Sequence, residues 1–89
     1  MFASTISHAW VISSNVTIKE IIQWEGAGYV VIKLSNDNIC HSPLADKELY
    51  SFVLSMYMSG KTFTSYCYDA AETINGYSNS HKLHRINGT

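Results

Sequence analysis

The sequence predicts a single small α+β domain. Three observations carry this. Two runs rich in β-branched residues flank Glu25-Gly26-Ala27-Gly28, an apolar stripe at helical spacing runs from Leu49 to Met56, and a second alternating stretch runs from Lys61 to Tyr68.

In the first run, Val16, Ile18, Ile22 and Trp24 share one parity, broken by Glu20, while Thr17, Lys19 and Gln23 take the other. That is a half-buried strand. Gly26 and Gly28 can supply positive φ for a turn, and Tyr29-Val30-Val31-Ile32-Lys33-Leu34 reads as the returning strand of a hairpin. Ser35-Asn36-Asp37-Asn38 is a polar turn, and Ile39-Cys40-His41 makes a short third strand.

Ser42-Pro43 then reads as a helix start, with Ser as N-cap, Pro in the first turn, and Asp46 and Glu48 at the positive end of the dipole. The helix is expected over about residues 44–59. Leu49, Phe52, Val53 and Met56 form its apolar stripe and are expected to pack on the sheet, leaving Tyr50, Tyr57 and Met58 outward. Gly60 is its stop. Beyond it, Phe63, Ser65 and Cys67 share one strand face, and Thr64, Tyr66 and Tyr68 the other. Asp69 to Ser80 is polar, contains Asn75-Gly76 and reads as a loop. A last strand, Lys82 to Ile86, sets Leu83 and Arg85 on one face and His84 and Ile86 on the other.

Composition bounds the function. At 89 residues the chain holds one core, and 46% apolar against 15% charged residues is not the composition of a disordered segment. A formal net charge of −1 leaves no electrostatic footprint for nucleic acid or anionic lipid. No apolar stretch reaches the roughly 18–20 residues that span a bilayer, so no membrane insertion is expected. Residues 1–9 lack charge and end in Ser7-x-Ala9, so they read either as the tail of a signal peptide or as an N-terminal arm, with the domain proper at residues 10–89.

Cys40 and Cys67 lack the CxxC spacing of a zinc or redox site. They read as one disulfide, or else as two buried thiols of a cytosolic protein. His81 and His84, three apart, would face opposite ways on a strand, and no third or fourth ligand has recognisable spacing. No metal or cofactor is expected. The one formal nucleophile pairing, Cys40 or Cys67 with His41, stands without any catalytic motif, so no enzyme is expected. Asn15-Val16-Thr17 and Asn87-Gly88-Thr89 match the glycosylation pattern, a three-residue match that decides nothing. The 2 Trp and 6 Tyr are more informative, because aromatic faces pack against sugar C–H surfaces; most of the tyrosines also read as core-edge or subunit-contact residues.

The segments Ser14-Asn15-Val16-Thr17-Ile18, Tyr29 to Leu34, a Cys-containing strand, and Leu49 to Lys61 leading into Phe63-x-Ser65-Tyr66 follow one another in a familiar order. This pattern resembles the B subunits of subtilase cytotoxin and typhoid toxin, and small secreted bacterial proteins built on the same plan. It covers most of Trp10 to Tyr68. The resemblance implies an OB-like, five-stranded antiparallel barrel with its helix between strands 3 and 4. It also implies assembly as a ring of five and binding of sialylated glycans through a Ser near the start of the first long strand, the position of Ser14. The family has a longer N-terminal region and a second cysteine close after the first, whereas Cys67 here lies on the strand after the helix. The expectation is a secreted or periplasmic bacterial protein that binds glycan as a homo-oligomer. The alternative is a structural or protein-interaction domain without a small-molecule site.

Overall fold

The computed structural model describes residues 10–88 as six strands in one mostly antiparallel sheet and one helix, the α+β class expected. The signal-or-arm reading of residues 1–9 lies outside the described residues. In chain order the elements are β1 (Trp10–Val16), β2 (Ile18–Ile22), β3 (Tyr29–Leu34), β4 (Ile39–Pro43), α1 (Lys47–Ser59), β5 (Phe63–Ile74) and β6 (Tyr77–Gly88).

The sheet order is β1-β5-β6-β4-β3-β2. Its two edges, β1 and β2, are separated in the chain by Thr17 alone, so one segment turns sharply enough to serve both ends. The turn is local. Asn15 takes a positive φ of 53°, and the β1–β5 register shifts between Ser13 and Val16. Thr17 N–H donates to Ser35 Oγ (3.1 Å) and Ser35 N–H to Thr17 O (2.9 Å), bracing the corner against the β3–β4 turn. This corner is why six strands appear where five were expected, and why pairing begins at Trp10 rather than Val16. Trp24 falls beyond β2, 51% exposed.

Three further expectations are corrected. Ser42-Pro43 ends β4, where a proline costs little, and the helix starts later than residue 44. Its N-cap is Asp46, whose Oδ1 accepts from Leu49 N–H (3.2 Å). Gly60 does stop it, with φ 68° and its N–H bonded to Met56 O (3.0 Å). Residues 69–80 are not a loop. β5 and β6 continue as a long hairpin that reverses at Asn75-Gly76, whose φ values of 52° and 85° suit a two-residue turn of the twisted kind hairpins favour. The segment is polar because most of it faces water. Finally, the β4–β6 pairing is parallel, Ile39 to His41 alongside Ser80 to Lys82.

The core lies between the inner sheet face and α1. Val30, Ile32 and Leu34 of β3 meet Phe63 and Cys67 of β5, Leu83 and Ile86 of β6, and Val53 and Met56 of α1. Leu49 and Tyr50 pack against this cluster, and Tyr50 Oη donates to Gln23 Oε1 (2.6 Å). Phe52, expected inward, is 37% exposed and trades places with Tyr50; Tyr57 and the 81%-exposed Met58 are outward as expected.

Cys40 and Cys67 form a disulfide, closing the choice left open above. Their strands stand on either side of β6, yet their Cα atoms are 6.7 Å apart. In a flat sheet that separation would be about 9–10 Å, so the bond crosses the inside of a strongly curled sheet.

Candidate functional site

The outer face of β1, β5 and β6 carries a cluster of aromatic rings around one arginine. Ser13 is buried, so Trp10, Ile12 and Ser14 alternate onto the outside of β1. Ser65 and Cys67 are fully buried, which sets Tyr66 and Tyr68 outward on β5. Register then brings the rows together: Trp10 lies opposite Tyr68, Ile12 opposite Tyr66, and Tyr66 opposite Arg85.

Arg85 was expected to share a face with Leu83, and His84 to share the other with Ile86. The pairing steps from Tyr66–Arg85 to Cys67–Leu83, which leaves His84 as an extra residue in β6. That bulge turns His84 and Arg85 both outward between buried Leu83 and Ile86.

The geometry is close. The Trp10 ring lies 5.1 Å from Tyr68 and 4.9 Å from His84, and His84 meets Tyr68 edge-on at 5.6 Å. Arg85 Cζ sits 3.9 Å from the Tyr66 ring centroid and 5.8 Å from that of Trp10. The guanidinium has only donors, so its Nη1, 3.2 Å from His84 Nδ1, donates there and places the His84 proton on Nε2. Arg85 is thereby held over the Tyr66 ring and remains exposed. Ile12, 51% exposed, fills the gap between Trp10 and Ser14. Such a surface can stack on the C–H face of a sugar ring or a planar group and offer paired donors to a carboxylate.

Ser14, the residue carried over from the toxin resemblance, is exposed at the end of this row, one step before the Asn15 bulge. The chain matches no protein-family model and no curated protein.

A second constellation was not visible in the sequence. His41 Nδ1 lies 2.7 Å from Ser80 Oγ, and His41 Nε2 lies 3.8 Å from Glu72 Oε2. Glu72 and Ser80 are 31 or more residues from His41 in the chain and meet it only because the β5–β6 hairpin runs beside β4, so no motif could reveal them. Burial lowers the His41 pKa, opposed by the Glu72 charge and reinforced by Lys82 and His81. Ser80 is fully buried and the described residues enclose no pocket, so the pair faces no cleft. The disulfide takes both thiols of the cysteine pairing considered above, and Cys40 points to the opposite face from His41. His81 and His84 diverge, as expected of strand residues: His81 Nδ1 meets Tyr68 O (2.9 Å), while His84 meets Arg85. Among the described residues no three His, Cys, Asp or Glu side chains gather so as to hold a metal ion, and no helix is long and apolar enough to cross a membrane.

Proposed function

We propose that this protein is a small secreted or periplasmic bacterial domain that acts by binding glycans rather than by catalysis, as an oligomer. The observation that supports this best is the Arg85-centred ring cluster with Ser14 at its margin. Trp10, Tyr66 and Tyr68 offer stacking faces for a pyranose, Ser14 and Thr64 offer hydroxyl partners, and Arg85 offers paired donors to an acidic sugar. The disulfide suits an oxidising compartment.

The finer fold reading supports the same conclusion. Counting β1 and β2 as one bent strand leaves five, with α1 between the third and fourth and a first strand that pairs at both ends of the sheet. We read this order as the connectivity of an OB-like barrel, the fold the toxin resemblance implies. Phe52, Tyr57 and Met58 on the outer side of α1 give an oligomer apolar surface to cover.

A second reading is a protein-interaction domain. Its support is that Trp, Tyr and Arg are also the residues that anchor protein interfaces, and the described residues enclose no pocket. A glycan array separates the two. Wild type should label a set of sialylated glycans, Tyr66→Ala and Arg85→Ala should lose at least about tenfold in signal, and Ser14→Ala should weaken it. An array blank for wild type, with a monomer in sedimentation, overturns the glycan-binding oligomer.

A further inference from the structure

His41 is the buried titratable group for which the outer surface has no use. Its neighbour Cys40 points into the core, so His41 faces the other side of β4, and yet its side chain is 1% exposed. The cover comes from the far half of the β5–β6 hairpin. Beyond Tyr68, β5 has only β6 beside it among the described residues, and the register slips between Cys67 and Ala71 and again between Glu72 and Ile74. These irregularities bend the hairpin over the outside of β4 and β3: Glu72 reaches His41, and at the tip Asn75 Nδ2 donates to Tyr29 O (3.3 Å). Val31, the cross-strand partner of His41, is fully buried although it lies outside the main core cluster.

We propose that residues 71–80 form an acid-releasable arm, held over β3 and β4 by the neutral His41 ring and freed when that ring takes up a proton. Among the described residues the arm has few other fastenings. Its base is the three-residue parallel seam of β4 and β6, and its tip is the single Asn75–Tyr29 bond.

The groups facing His41 decide the response. From β3 comes the Tyr29 ring, edge-on at 5.4 Å, and from β5 the half-exposed Glu72 carboxylate. From β6 come Ser80, which holds Nδ1, together with Lys82 and His81. One solvated carboxylate at 3.8 Å is a weak counter-ion for a buried imidazolium that also faces Lys82. Burial lowers the pKa of His41 in the closed arm, Glu72 raises it, and Lys82 and His81 lower it. An opened arm returns the ring to water and to an ordinary value of about 6.5. The open form then binds the proton more readily. Closure is fully stabilised above about pH 6.5, and that stabilisation is lost as pH falls toward the lowered value.

The test is residue-resolved amide hydrogen exchange on the full chain with its disulfide intact, at about pH 7.5 and about pH 5, corrected for intrinsic exchange. Amides of residues 71–74 and 77–80 should exchange at least about tenfold faster at the lower pH, while those of Val30 to Leu34 hold. His41→Asn, which keeps a neutral polar group near Nδ1 and cannot be protonated, should hold the arm closed at both. Glu72→Gln, which removes the counter-charge of the closed protonated form, should open the arm at a higher pH than wild type. Arm amides unchanged between the two pH values overturn the proposal. So does an equal rise in His41→Asn, or an equal rise throughout the sheet, which would be plain acid unfolding. Should His41→Asn fail to fold, Glu72→Gln decides: opening at the wild-type pH or below contradicts the proposal.

Discussion

Cys40 and His41, consecutive on β4, fasten that strand to the β5–β6 hairpin from opposite faces of the sheet. Cys40 does so through the disulfide to Cys67 inside, and His41 through its 2.7 Å contact with Ser80 outside. The fastening matters because, among the described residues, β4–β6 is the one strand pairing that joins β1-β5-β6 to β4-β3-β2, and it is only three residue pairs long.

Removing the inner fastening should therefore be costly. The disulfide closes a loop of sequence separation 27 that includes α1. Chain entropy places its contribution at about 3–4 kcal/mol. The double variant Cys40→Ala with Cys67→Ala should lose about that much in urea denaturation, a large share of what a domain this size holds. A loss under about 1 kcal/mol would show that the seam is held by its pairing and packing instead.

Ser65 makes the opposite prediction. Its Oγ is fully buried with no hydrogen-bond partner among the described residues. An unpaired buried hydroxyl costs about 1–3 kcal/mol of desolvation. Ser65→Ala should leave the melting temperature unchanged or raise it by several degrees. A drop of more than about 1 kcal/mol in stability would reveal a partner for the hydroxyl.

The helix separates its faces cleanly. Val53 is fully buried against the sheet, so Val53→Ala should cost about 2 kcal/mol, whereas Phe52→Ser should stay within about 1 kcal/mol in the monomer. Equal costs at concentrations where the protein is monomeric would contradict the observed rotation of the helix.

That rotation marks what could and could not be read in advance. Spacing placed Val53 and Met56 on the core face and Gly60 at the stop, because these follow from the helical period and the left-handed conformation of one glycine. Spacing could not choose between Phe52 and Tyr50, since both flank Val53, and the choice was made by Gln23, which offers an acceptor to the Tyr50 hydroxyl. Likewise Phe63, Ser65 and Cys67 followed strand alternation inward, whereas Arg85 did not, because a bulge at His84 breaks the parity on which the reading relied. The far half of the hairpin was missed for its polarity: Asp69 to Thr73 face water, so they carry no apolar signal, and pairing alone makes them a strand. The candidate surface was legible only as an excess of Tyr and Trp. Which of them gather around an arginine depended on the register of three strands.

The most direct test of that surface is the fluorescence of Trp10. The chain has two tryptophans, and Trp24 is exposed beyond β2, so Trp24→Phe leaves Trp10 as the sole reporter. Titration of this variant with a sialylated oligosaccharide should give a saturable change in Trp10 emission that Tyr66→Ala and Arg85→Ala abolish. No change with either sialylated or neutral oligosaccharides up to millimolar concentration, in a folded protein, would contradict the assignment of this face as a glycan site.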